Sequence, residues 1–446
     1  MASYNDFQLP VYQNTNAAST LIGRDSLGEL VTVRLSIPDI ILAAIFARQN
    51  VLLISDSGKG KTQLVKDISH RYFGGSGEKG LSNFLKAKRD TYVAELFEFT
   101  QADVSGGRFD SRTARRLDLT KVSRLVNIVD ELNRAPPITQ SDCLDLAEGS
   151  GSFRGDTYEL GRNGYSVFIA TVNLDKNGSR DFSGTFQMDR AMLGRSHLTL
   201  DLDHPSFSPT EEDEAILDER GYDTPGIKSS QLKDLTPFIL EQYQIIKEQS
   251  KNLSLERKIF RYLIGRSFGF CNKDSLNDKQ GMFPDGCGSC DDQRFCQEVR
   301  AVSERTQQTL MGLPYGLGIV AELKHGSPVG FSLGDLLLES FRFTAFHGNL
   351  NSRLVNDQYH GRSQAMMDHV VSELRTILNS IYPFINQNYL EPEIVKYNQG
   401  GREIIALPTM ADALNRARIP FERIRLDEVL SSKGLGNSWI QQLRKK

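Results

Sequence analysis

Cysteine is scarce in this chain, and its scarcity excludes a disulfide framework. Only five of 446 residues are cysteine, and four of them, Cys271, Cys287, Cys290 and Cys296, fall in one short polar stretch. No hydrophobic run is long enough to cross a bilayer. The longest, IPDIILAAIFA, ends at Arg48, so no membrane span is expected. There is no excess of one charge either. With 53 Lys and Arg against 56 Asp and Glu the formal net charge is −3, which by itself directs the chain to neither nucleic acid nor acidic lipid. The opening residues MASYNDFQLPVYQN lack a basic stretch followed by an apolar one, so no secretory signal is expected. Few, clustered cysteines without such a signal predict a reducing, cytoplasmic setting. We find no internal repeat and no low-complexity tract.

What is present describes an ordinary globular protein, 39% hydrophobic and 24% charged, long enough for two or three domains. Five apolar, β-rich runs recur through the first 210 residues: VLLIS (51–55), ELFEFT (95–100), LVNIVDE (125–131), YSVFIATVN (165–173) and HLTLDL (197–202). Continuous apolar strands alternating with helical segments predict an α/β fold with a parallel five-stranded sheet covered on both faces. From about residue 235 the pattern turns helical, pauses at the cysteine stretch, and resumes to about residue 347. A further helix is expected within SQAMMDHVVSELRTILNSIYPFI.

Three of the strands deliver chemistry at their carboxyl ends. VLLISDSGKGKT runs into a glycine-rich loop comprising Ser57, Gly58, Lys59, Gly60, Lys61 and Thr62. In a phosphate-binding loop the backbone N–H groups cradle phosphates, the lysine meets the β- and γ-phosphates, and the Thr hydroxyl binds Mg²⁺. The pattern has glycine at its first position, where this chain has Ser55. LVNIVDELNRAPP presents Asp130, expected to hold Mg²⁺, and Glu131, expected to polarise an attacking water. FIATVN ends in Asn173 at the same edge. Each piece alone has a plainer reading: a polar surface turn, a solvated acidic turn, a turn-forming Asn. Together they fall at the edge where open α/β sheets bind ligands.

The stretch DELNRAPPITQSDCLDLAEGSGSFRGDTYEL closely resembles the MoxR-like and CobS-like branch of AAA+ ATPases. The resemblance runs from about residue 20 to 350. It implies a P-loop core over 15–210 with sheet order 5-1-4-3-2, a helical lid over 230–350, and assembly into a homo-oligomeric ring, usually a hexamer. It implies ATP and Mg²⁺ as cofactors, Lys61 and Thr62 as the Walker A pair, Asp130 and Glu131 as the Walker B pair, and Asn173 as sensor 1. Arg190 falls where the branch carries the arginine that reaches a neighbour's γ-phosphate. Arg305, in AVSERTQQTL, matches the lid arginine, with Glu304 where the family has proline. GSFRGDTYELGRNGYSVF reads as a hairpin with Gly155 and Asp156 near its turn. Phe153 and Tyr158 are candidates for substrate contact at the ring centre or for packing at the hairpin base. The family implies a chaperone-like ATPase that remodels a client protein, with a von Willebrand A domain partner. Two rivals stay open: a nucleic-acid motor of the McrB kind, for which the locally positive DSRTARRLDLTKVSR speaks, and a nucleotide-dependent scaffold. The client and the role of residues 351–446 are not readable.

The cysteines have the spacing Cys271-x15-Cys287-x2-Cys290-x5-Cys296, an insertion at 271–296 within the lid segment. A C-x-x-C pair lets two thiolates grip one metal from a tight turn, and four thiolates complete a tetrahedral Zn²⁺ or a [4Fe-4S] cluster. Free thiols prefer apolar burial, whereas DGCGSCDDQRFC is polar. The spacing is similar to the cluster of RecB-type nucleases, which favours [4Fe-4S] in a structural role, with Zn²⁺ as the alternative. Cys143 is excluded from the centre.

Overall fold

The computed structural model describes residues 2–56, 58–77, 79–100, 115–153, 156–173, 186, 188, 190–220, 233–251, 260, 264, 298–299, 302–386, 395–399 and 402–406. Its centre is a parallel sheet of five strands. In spatial order these are β11 (Leu198–Asp201), β3 (Val51–Ser55), β10 (Val167–Asn173), β7 (Val126–Asp130) and β4 (Ser82–Lys86). β3 and β7 are buried along their whole length, as their predominantly apolar sequences require of a sheet covered on both sides. On one face Val51, Leu53, Ile128 and Ile169 pack against α1 (Ile37–Phe46), α2 (Lys61–Phe73) and α7 (Thr236–Lys251). On the other, Leu52, Ile54, Val129 and Phe168 meet Cys143 and Leu146 of α4 (Pro137–Glu148).

One expected strand is displaced. The run at 95–100 does not enter the sheet. Leu96 ends a short 3-10 turn, and among the described residues Glu98–Thr100 (β5) pairs only with Arg115–Leu117 (β6). The edge position belongs to Ser82–Lys86, in parallel register with β7 (Phe84 beside Ile128). Leu96 and Phe97 are buried under the sheet edge, so the run's hydrophobicity marks burial rather than strand pairing.

Helix α8 (Glu304–His325) lies against α1, and both it and α7 contribute to the apolar cluster beneath the sheet, through Leu313, Leu317 and Ile239. The approach of α8 is close enough to need Gly316, where a Cβ would come within 2.3 Å of the Ala43 carbonyl oxygen. A second cluster joins α9 (Leu333–Arg342), α10 (Ser352–Tyr359) and α11 (Ser363–Asn386) through Phe341, Met366 and Val370. A small antiparallel sheet sets β1 (Ser19–Asp25) between β2 (Leu30–Leu35) and β12 (Val329–Phe331). Two further hairpins, β8 (Ser150–Phe153) with β9 (Asp156–Glu159) and β13 (Val395–Gln399) with β14 (Arg402–Ala406), complete the described strands. No helix among the described residues is long and apolar enough to cross a membrane.

Candidate functional site

The site is assembled where β3, β7 and β10 end. After Ser55 the chain turns through Gly58 and Gly60, both with left-handed φ (88° and 73°), and Gly60 caps the start of α2. Only glycine takes this path without strain. At Gly60 the space is also closed, since a Cβ would meet Leu217 of α6 (Glu211–Glu219) at 2.7 Å. The turn delivers Lys61 to the first position of α2, where its side chain is buried. Its ammonium bonds the Ser55 carbonyl at 3.0 Å, the Ser55 hydroxyl at 2.6 Å and the Asp56 carbonyl at 2.9 Å. Desolvation pushes the Lys61 pKa down to about 8, against the pull of Asp203, Asp130, Asp56 and Glu131.

Thr62 follows, with Oγ1 3.0 Å from each carboxylate oxygen of Asp130. Asp130 is fully buried at the end of β7, and its Oδ1 also accepts from the Thr171 hydroxyl at 2.6 Å. The next residue, Glu131, is left-handed at φ 57°, a strained conformation for a side chain of this size. Its N–H is held by Thr171 Oγ1 at 2.9 Å, its Oε1 pairs with Arg134 at 3.2 Å, and its Oε2 is buried without a hydrogen-bond partner. Asn173, in register with Ser55, is clamped through its backbone. Its N–H reaches Asn133 Oδ1 at 3.3 Å, and its carbonyl accepts from Asn133 Nδ2 at 2.7 Å.

The structure thus brings Gly58, Lys59, Gly60, Lys61, Thr62, Asp130, Glu131 and Asn173 to one edge. Ser57 lies outside the described residues. Arg190 opens α5 (Arg190–Arg195), but its side chain is outside the described set. Arg305 is not among the residues brought to this edge. It approaches Glu148 at 3.8 Å, a carboxylate that Arg195 holds at 2.6 Å. That position is the amino edge of the sheet, because Asn50, just before β3, donates to the carbonyls of Ala147 at 2.6 Å and Arg195 at 3.2 Å. The length of β3 separates Arg305 from Lys61.

Sequence reasoning missed several partners. Asp203, two residues beyond β11, accepts from the Asp56 N–H at 2.7 Å. The Tyr12 hydroxyl donates to the Lys59 carbonyl, and Lys59 pairs with Glu214 at 3.1 Å. These come from distant segments and carry no local motif. Thr171 and Asn133 were legible in principle, since each sits within two residues of a residue singled out.

The donor set fits Mg²⁺: a hydroxyl and a carboxylate are hard oxygen ligands, already held together in a buried corner. The cysteine centre has no such test, because Cys271, Cys287, Cys290 and Cys296 lie outside the described residues. Among the described residues no group of three or more His, Cys, Asp or Glu is arranged to hold a metal ion. Cys143 is a buried free thiol whose pKa burial pushes up. The Phe153 side chain lies outside the described set, while Tyr158 packs against the cluster under the sheet.

No protein-family model matches the chain. An uncharacterized protein of Bacillus subtilis (strain 168), YeaC, is 27% identical over 227 residues, which cover 50% of this chain and 62% of YeaC. The match therefore spans less than two thirds of that protein. A solved structure of a presumed ATPase from Cytophaga hutchinsonii ATCC 33406 superposes with a TM-score of 0.50 at 15% identity, covering 75% of this chain and 87% of that one. At that identity the likeness establishes the fold, a mixed α/β architecture around a parallel five-stranded sheet.

Proposed function

We propose that this protein is an AAA+ ATPase of the MoxR-like kind that hydrolyses ATP in a homo-oligomeric ring to remodel a partner protein. The observation that carries the reading is the corner formed by Thr62, Asp130 and Glu131, set directly behind the buried Lys61. In it Lys61 supplies the fixed positive charge for the β- and γ-phosphates, and α2 points its N-terminus at them. Thr62 and Asp130 would hold Mg²⁺, whose role when bound is to neutralise charge developing on the phosphate oxygens. Glu131 takes the proton of the attacking water as its oxygen bonds to the γ-phosphorus and the bond to ADP breaks. Its unpartnered Oε2 is the acceptor free for that proton. Asn173 orients the same water.

Arg190 is the arginine offered to a neighbour's γ-phosphate. Arg305, engaged with Glu148, is left out of that set. The ring, its hexameric count, a von Willebrand A partner and a [4Fe-4S] cluster on the four cysteines belong to the same proposal and rest on the family resemblance and the cysteine spacing. The nucleotide reading is tested by Lys61→Ala, which removes the phosphate counter-charge. Equilibrium titration with a fluorescent ATP analogue should show binding lost in a variant that keeps wild-type helicity. Retained affinity would remove the loop from the account.

A further inference from the structure

Ser55 stands where the phosphate-loop pattern has glycine, and its hydroxyl is engaged. Ser55 is the last residue of β3 and is buried, as is Lys61. The hydroxyl lies 2.7 Å from the Asp56 carbonyl, to which it donates. Its lone pairs are therefore left to the Lys61 ammonium, 2.6 Å away. An ammonium has three protons to donate. Here three acceptors meet them: the carbonyls of Ser55 and Asp56 at 3.0 and 2.9 Å, and the Ser55 hydroxyl at the shortest distance. The two carbonyls are backbone, common to any residue at these positions and fixed by strand and turn. The third acceptor exists only because the residue is serine.

We propose that the Ser55 hydroxyl is a built-in competitor for the Lys61 ammonium, which a phosphate oxygen of the nucleotide must displace before Lys61 can donate to it. The proposal rests on the nucleotide reading above and names what sets affinity at that same site. Two observations support it. Both partners are buried, so water does not weaken the bond, and a hydrogen bond from a charged donor is stronger than a neutral one. The competitor is also displaceable, since a hydroxyl turns about one bond whereas a strand carbonyl cannot. A loop with glycine here would present Lys61 with one proton already free.

The test uses the full chain with Ser55→Ala, Ser55→Gly and Ser55→Thr, titrated with a fluorescent ATP analogue and with ATP in the presence of Mg²⁺. Ser55→Ala and Ser55→Gly should bind on the order of ten-fold more tightly, the size expected for losing one competing hydrogen bond to a charged donor. KM should fall by a similar factor while kcat does not rise with it. Ser55→Thr keeps a hydroxyl and should stay near wild type. A purely structural serine would give weaker binding on substitution and no such split. Ser55→Ala that melts like wild type yet binds ATP no more tightly overturns the proposal. Unimpaired binding by Lys61→Ala would instead sink the nucleotide reading, so the two failures are distinguishable.

Discussion

Thr171 links the Asp130 carboxylate to the backbone of Glu131. One hydroxyl donates to Asp130 Oδ1 at 2.6 Å and accepts the Glu131 N–H at 2.9 Å. It fixes Asp130 toward Thr62 and holds Glu131 in its left-handed conformation, so the spacing of the acids proposed to hold the metal and the water depends on a residue from a different strand. Thr171→Val keeps the shape and removes both bonds, leaving buried polar groups unpaired. The expected cost is about 1–3 kcal/mol in urea unfolding, with weaker ATP binding in Mg²⁺ as the functional readout. Wild-type stability together with wild-type affinity would show that the link does not matter. At this scale the sequence was informative wherever a residue's role depends on its neighbours in the chain. Lys61, Thr62, Asp130 and Glu131 could be named because glycine spacing and a strand ending in two acids are local patterns. Asp203 and Tyr12 could not, because what recruits them is a backbone group more than 40 residues away.

At the scale of elements, the seam between the sheet's amino edge and α8 is built on two histidines. The Asn50 N–H donates to His197 Nδ1 at 3.1 Å, and the Thr309 hydroxyl donates to the His197 carbonyl at 3.1 Å. His347 bridges the Ser196 carbonyl at 2.7 Å and the Thr306 hydroxyl at 3.0 Å. Although each residue keeps some exposed surface, desolvation in the seam pushes the pKa of His197 down to about 3 and that of His347 to about 4. The folded state therefore favours the neutral rings. Their contribution to stability is whole above the ordinary histidine value near 6.5 and drains away as pH falls from there toward about 4 for His347 and about 3 for His197. Thermal melts should show Tm falling from pH 7 to pH 5, and His347→Gln should flatten that fall. Parallel pH profiles for the two proteins would rule this origin out. The seam was invisible to sequence reasoning, as was the identity of the edge strand. SNFLK is short and follows a glycine-rich turn, whereas ELFEFT is the more hydrophobic run. Hydrophobicity reports that a segment is buried, and only pairing decides whether it is buried as a strand.

At the scale of the whole molecule, the parallel sheet and its covering helices were legible because buried strands need continuous apolar sequence and their connections need helical periodicity. The way α7 and α8 share a core with the sheet was not, since an amphipathic helix does not reveal in sequence which apolar surface it will cover. Arg305 illustrates the consequence. Its match to a motif was local, and the packing of α8 against α1 sets it at the amino edge, beside Glu148. The site itself depends on less: three strand ends and one loop brought to the same edge. The measurement that bears most directly on that arrangement is phosphate release from ATP and Mg²⁺ by the full chain, compared with Glu131→Gln. The account predicts that the wild type releases phosphate, and that Glu131→Gln binds ATP with undiminished affinity but releases almost none, because it keeps the loop and loses the proton acceptor. Turnover by Glu131→Gln at the wild-type rate would contradict it.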